Sequence, residues 1–94
     1  MRLSAIQKDV LLVLFAISSK GKAGPVPSMD LLGMINRGRD LEVFPSNFRV
    51  SCHTLVDNGL LEKYRDEQLN LGFWPTGAGL ELGGQFYRAR FEGA

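Results

Sequence analysis

Thr54-Leu55-Val56-Asp57-Asn58-Gly59-Leu60-Leu61-Glu62-Lys63 is the stretch on which the reading of this chain turns. Phe48, Cys52, Leu55 and Val56 fall within roughly 80° of one another on a helical wheel, so the residues before Asn58 form a helix with this face inward. Asn58 and Gly59 tolerate the left-handed backbone that closes a helix. Leu60 and Leu61 then begin a strand that folds back over the same apolar face. A helix therefore passes into a strand within a couple of residues, with Leu55 packed beneath the join.

Working backwards from that join, Ser46 follows Pro45 and is expected to cap a helix over 46–58. Arg37 to Pro45 reads as an irregular loop in which Leu41, Val43 and Phe44 are anchored while Arg37 and Arg39 are exposed. Before it lies a second helix, capped by Ser28, with Met29, Leu31, Leu32 and Ile35 as its core face and Asn36 to Gly38 as its stop. Pro25 and Pro27 force extended backbone, leaving Val26 at most a very short edge strand. The first helix opens on a capping box, Ser4 with Gln7, and repeats Ile6, Val10, Val13, Leu14 and Ile17 at helical spacing until Gly21. Leu11, Leu12 and Phe15 widen that stripe beyond one face, which requires cover from the rest of the chain or from a second copy.

Working forwards, Leu60–Arg65 and Leu69–Trp74 read as a β-hairpin around Asp66-Glu67-Gln68. Thr76 to Leu82 is weakly helical because of its glycines. Turns and helix ends are the expected duty of Gly77, Gly79, Gly83 and Gly84. Residues 85–94 are a basic, aromatic tail. The expected fold class is thus α+β: three helices, a hairpin and a short C-terminal helix or tail, in a single domain spanning 1–94.

Composition sets the outer limits. Ninety-four residues, 45% of them hydrophobic, suit one small core rather than two. A formal charge of +1 excludes both a histone-like and an acidic disordered chain. The longest apolar run, Val10 to Ile17, is eight residues, far short of the ~20 that span a bilayer. With no signal-peptide layout either, the expectation is a cytoplasmic protein without a membrane partner. Cys52 is the one cysteine, so neither an internal disulfide nor a multi-cysteine metal site is possible. Adjacent residues on a helix point about 100° apart, which keeps Cys52 and His53 from acting as a nucleophile and base. No HExxH, GxSxG, Walker or GxGxxG pattern is present. The expectation is no enzyme, no cofactor, no metal and no evident small-molecule effector.

The order helix, extended link, helix, helix, hairpin is that of a winged helix-turn-helix domain, and particular residues carry the resemblance. Residues 54–63 resemble the "xLxxxGLLxx" junction between recognition helix and wing in bacterial regulators of the multiple-antibiotic-resistance and phenolic-acid-repressor types. Phe73-Trp74-Pro75-Thr76-Gly77-Ala78-Gly79 is similar to the "LTxxG" step by which those proteins leave the wing. The likeness runs over about residues 4 to 82. Two departures stand out: the nine-residue connection 37–45, where the usual turn has about three or four, and a hairpin tip that carries acid instead of base. The acidic tip argues against entry into a minor groove.

The resemblance implies sequence-specific binding of double-stranded DNA in transcriptional regulation, repressor-like, by a homodimer. The outer face of the third helix supports it, because it mixes hydrogen-bonding groups, a cation and an exposed aliphatic. Arg49 is the candidate for a bidentate guanine contact and Val50 for a thymine methyl. Asn47, His53 and Thr54 face base edges or nearby phosphates, with Ser46 at the helix start. Lys63, Arg65, Arg37 and Arg39 position the chain through phosphates and read no sequence. Leu11, Leu12 and Phe15, with Phe86, Tyr87 and Phe91 of the tail, are the expected dimer contact, unless the tail folds back onto the first helix. The competing reading is a winged-helix module that binds protein, since a net charge near zero creates no strong field for nucleic acid.

Overall fold

The computed structural model describes residues 2–92. Ser4 and Gln7 start α1 (Ala5–Ser19) with the expected reciprocal pair: the Gln7 amide donates to Ser4 Oγ at 3.2 Å, and the Ser4 amide donates to Gln7 Oε1 at 2.8 Å. That work holds Gln7 in a buried position, although its place on the wheel set it off the core stripe. Val26–Pro27 form β1, which the two prolines keep to two residues. There follow α2 (Ser28–Arg37), α3 (Pro45–Asp57), β2 (Leu61–Arg65), β3 (Leu71–Pro75) and α4 (Gly77–Phe91). The sheet is antiparallel with strand order β1-β3-β2. Lys63 lies opposite Phe73, and Val26 pairs with Phe73 from the other side.

One core lies between the helices and this sheet. Val10, Leu11 and Leu14 of α1 meet Leu31, Leu32 and Ile35 of α2, Phe48, Cys52 and Leu55 of α3, and Leu60, Leu61 and Phe73 of the wing. Each large side chain sealed here contributes roughly 1.5–3 kcal/mol through its removal from water. Burial also pushes the Cys52 thiol up to about 12, which makes it an inert core residue beside an outward His53.

Both serine caps differ from expectation. Ser28 and Ser46 lie inside their helices, and neither Pro27 nor Phe44 at the cap positions makes a side-chain cap bond. At α3 the cause is Pro45, whose fixed φ and missing amide suit the first helical position, so that Phe44 takes the cap and Ser46 lies two places inside it. Met29 leaves the core face and is 65% exposed, because on the wheel it stands more than about 100° from the centre of the Leu31, Leu32 and Ile35 arc. The connection between α2 and α3 is residues 38–44, and of its expected apolar anchors Val43 alone is buried: its amide donates to Asn36 Oδ1 at 2.8 Å and its carbonyl accepts from Asn36 Nδ2 at 3.1 Å. Leu41 and Phe44 stand in solvent. Arg39 is half-buried rather than exposed, since it pairs with Asp9 of α1.

The largest correction concerns the end of the chain. The glycine-rich segment and most of the expected tail are one continuous helix, α4, with Gly79, Gly83 and Gly84 buried inside it. Glycine is used for close approach. A Cβ on Gly83 would overlap the Leu11 carbonyl oxygen, and one on Gly79 the Leu60 carbonyl oxygen. Lacking those atoms, α4 lies against the wing junction and α1, and along α1 the Tyr87 ring packs at a tilt against Phe15 (5.5 Å) and Phe91 (4.8 Å). The apolar excess of α1 is therefore covered within the same chain, with Leu11 and Leu12 buried. Residues 93 and 94 of the tail lie outside the described residues.

Candidate nucleic-acid interface

The outer face of α3 is placed by the turn that follows it. The Leu60 amide donates to the Leu55 carbonyl (2.9 Å) and the Gly59 amide to that of Val56 (3.0 Å), a paired closure that needs left-handed backbone at Gly59, φ +76°. Asn58 keeps a right-handed conformation. Thr76 then locks the join from the far side of the wing: its hydroxyl donates to the Gly59 carbonyl at 2.7 Å, its amide donates to the Leu60 carbonyl at 3.2 Å, and its hydroxyl accepts from the Gly79 amide at 3.1 Å. The two motifs read in the sequence are thus in direct contact. Together they fix the angle between α3 and the hairpin.

Between them runs a groove of about 910 Å³, walled by Arg49 and His53 of α3, Ser28 and Met29 of α2, Pro25 and Pro27 around β1, and Tyr64, Arg65, Asp66 and Asn70 of the wing. Arg49, His53 and Arg65 therefore surround one concavity, although sixteen positions separate Arg49 from Arg65. His53 stands edge-on to Phe73, with centroids 6.5 Å apart, so the core aromatic sets its ring. Ser46, Asn47, Arg49 and Val50 are exposed along the same helix, and Thr54 is half-buried with its hydroxyl donating back to the Val50 carbonyl at 3.0 Å. Lys63 projects from β2 into solvent. Arg37 lies in the last turn of α2, where a cation is favoured by the helix dipole. Arg39 stands apart from this group, held on α1 by Asp9.

The wing tip is ordered by its acid. Asp66 Oδ1 accepts from the Gln68 and Asn70 amides, both at 2.9 Å, and Oδ2 accepts from Asn70 Nδ2 at 3.1 Å. These bonds, that from the Asn70 amide foremost, hold the Asp66 carboxyl below its ordinary value. Leu69 adopts φ +63° in this turn, and Arg65 Nη1 donates to its carbonyl at 2.9 Å. Sequence reasoning missed this use of Asp66, although an Asx turn was legible in Asp66-Glu67-Gln68. Among the described residues, no group of three His, Cys, Asp or Glu could hold a metal ion, and no helix is long and apolar enough to cross a membrane.

No protein-family model and no curated protein sequence matches the chain. Solved structures do. The chain is similar to the adhesin competence repressor AdcR from Streptococcus pyogenes, with a TM-score of 0.74 at 16% identity, over 98% of this chain and 60% of that one. It is similar to a MarR-family transcriptional regulator from Silicibacter pomeroyi, with a TM-score of 0.68 at 21% identity, over 97% of this chain and 59% of that one. A third likeness is to F-93 of SSV1, with a TM-score of 0.65 at 11% identity, over 88% of this chain and 84% of that one. The chain thus spans about three fifths of the length of the two bacterial regulators and most of the length of F-93. Among the described residues, four helices and a three-stranded sheet form the winged-helix fold found in these structures, a MarR-family regulator among them, as the wing junction implied.

Proposed function

We propose that the chain binds duplex DNA and regulates transcription, with α3 in the major groove and the wing beside it. The observation that carries this reading is the grouping of Arg49, His53 and Arg65 around one groove, on a face where Asn47 and Val50 are also free. Arg49 then reads guanine and Val50 a thymine methyl, while Asn47, His53, Thr54 and Ser46 meet base edges and the nearest phosphates. Lys63, Arg65 and Arg37 supply phosphate contacts. Arg39 is assigned to the fold, because its charge is already met by Asp9. The similar bacterial structures are regulators by name, which supports a regulator over an enzyme. The reading includes a homodimer that offers two α3 helices to half-sites about one helical turn apart, and the end of α4, where Phe91 is exposed, is the surface assigned to it.

Binding to duplex DNA across a salt series tests this. Affinity is expected to fall with a log–log slope of about −0.9 per phosphate contacted. Arg49→Ala should cost about 1–3 kcal/mol on the preferred sequence alone, whereas Lys63→Ala should weaken all sequences alike and flatten the slope. No binding even at low salt would favour a protein-binding module. That second reading draws on the 38–44 loop, where Leu41 is 81% exposed between Asp40 and Glu42.

A further inference from the structure

Two ion pairs converge on one carboxylate. Asp9 Oδ2 accepts from Arg39 Nη1, and Asp9 Oδ1 accepts from Arg90 Nη2 at 3.0 Å. Arg39 lies 30 residues away in the loop that leads into α3, and Arg90 lies 81 residues away near the end of α4. The carboxylate is 13% exposed, against 27% for Arg39 and 53% for Arg90. Asp9 is thus the sheltered centre of a three-element clamp with one arm half in water.

We propose that Asp9 is a positioning residue for α3, acting through the 38–44 loop, and that it couples the end of α4 to the DNA-reading face. This rests on the reading of α3 as that face. The loop has two fastenings. The Asn36 side chain closes it onto α2 by its paired bonds to Val43, and Asp9 ties Arg39 to α1 and α4. The loop then delivers Phe44, whose carbonyl accepts the first helical bond of α3 from the Phe48 amide at 3.0 Å. Freed from Asp9, the first half of the loop keeps the long amide bonds of Gly38 and Arg39 to the end of α2, at 3.2 and 3.3 Å. Loss of the carboxylate also leaves two guanidinium groups facing each other without a counter-charge. Because Arg90 is the exposed arm, whatever engages the end of α4 alters the share of Asp9 left for Arg39. The two arms meet on the two oxygens of one carboxylate, a contiguous contact between α4 and the loop.

The test compares Asp9→Asn, Asp9→Glu and Arg90→Gln with the natural sequence in two measurements: duplex binding on preferred and random DNA, and amide hydrogen exchange at Gly38, Arg39 and Val43. Asp9→Asn is expected to speed exchange at these amides several-fold and to lower preferred-site affinity by roughly three- to thirtyfold, the range of coupling through packed networks. Random-sequence affinity should not fall with it, because no phosphate contact is removed and the two freed guanidinium groups add positive charge. Asp9→Glu should restore most of the loss. Arg90→Gln, on the exposed arm, should give a smaller change of the same kind, and it keeps the proposal testable if Asp9→Asn does not fold. Unchanged exchange in Asp9→Asn overturns the clamp whatever happens to DNA. Faster exchange with unchanged preferred-site affinity overturns the positioning role while leaving DNA binding intact. Absence of any duplex binding by the natural sequence overturns the DNA reading, and the positioning role with it.

Discussion

Gly83 shows how one missing atom sets the architecture. Alanine is ordinarily about 1 kcal/mol better than glycine within a helix, and at Gly33, where a Cβ meets nothing within 4 Å, Gly33→Ala should stabilise the fold by about 0.5–1 kcal/mol. Gly83→Ala should do the reverse, destabilising by about 1–3 kcal/mol, because the new Cβ meets the Leu11 backbone, which cannot swing aside as a side chain would. Thermal unfolding of the two variants decides between packing and propensity, and a stabilised Gly83→Ala would contradict the close approach of α4 to α1. The same residue marks where the sequence became illegible. A glycine that ends a helix and a glycine that admits a neighbouring backbone are the same letter, and only the partner, Leu11, tells them apart. Ser46 failed for a related reason: two good helix-start residues stood side by side, and Pro45 took the position that its ring prefers. The inward face of α3 was legible because Phe48, Cys52 and Leu55 repeat at helical spacing, and so was the join at Gly59.

At the scale of elements, the turn of the wing is tied to the ionised state of Asp66. The folded wing holds the Asp66 carboxyl below its ordinary value, so the contribution of its bonds to Gln68 and Asn70 is present above the ordinary aspartate range. It is lost only as pH falls through the lowered value. NMR of the Gln68 and Asn70 amides during acid titration should show the turn intact through the ordinary aspartate range and opening below it, with α1–α4 still folded at the onset. Release at the ordinary value would mean that the bonds do not hold the charge. The α3 groove could be read only in part from the sequence. Arg49 and His53 share a helix face by spacing, whereas the approach of Arg65 depends on a hairpin register that the turn residues alone did not define. The seven-residue loop between α2 and α3 was legible as an irregular segment, but its clamp was not, since Asp9 and Arg90 are too far apart in sequence for any local pattern to join them.

Across the whole molecule, α4 completes the core. Ending the chain at Gly84 would remove Phe86, Tyr87, Arg90 and Phe91, uncovering Phe15 and breaking one arm of the Asp9 clamp. Such a truncated chain should lose cooperative unfolding or melt at least about 10 °C lower, since each 1 kcal/mol shifts a domain of this size by roughly 4–8 °C. A truncation that melts like the full chain would show that the α1–α4 layer does little for the fold. Outward-facing apolar and cationic groups then remain at the α3–wing groove, on the 38–44 loop and at the end of α4, and DNA is assigned to the first. Chemical-shift mapping of the full chain during titration with duplex DNA tests that assignment most directly. Perturbations are predicted at Asn47, Arg49, Val50 and His53 on α3 and at Lys63 and Arg65 on the wing, fading as salt is raised, whereas shifts confined to α4 and the 38–44 loop, or none at low salt, would contradict it.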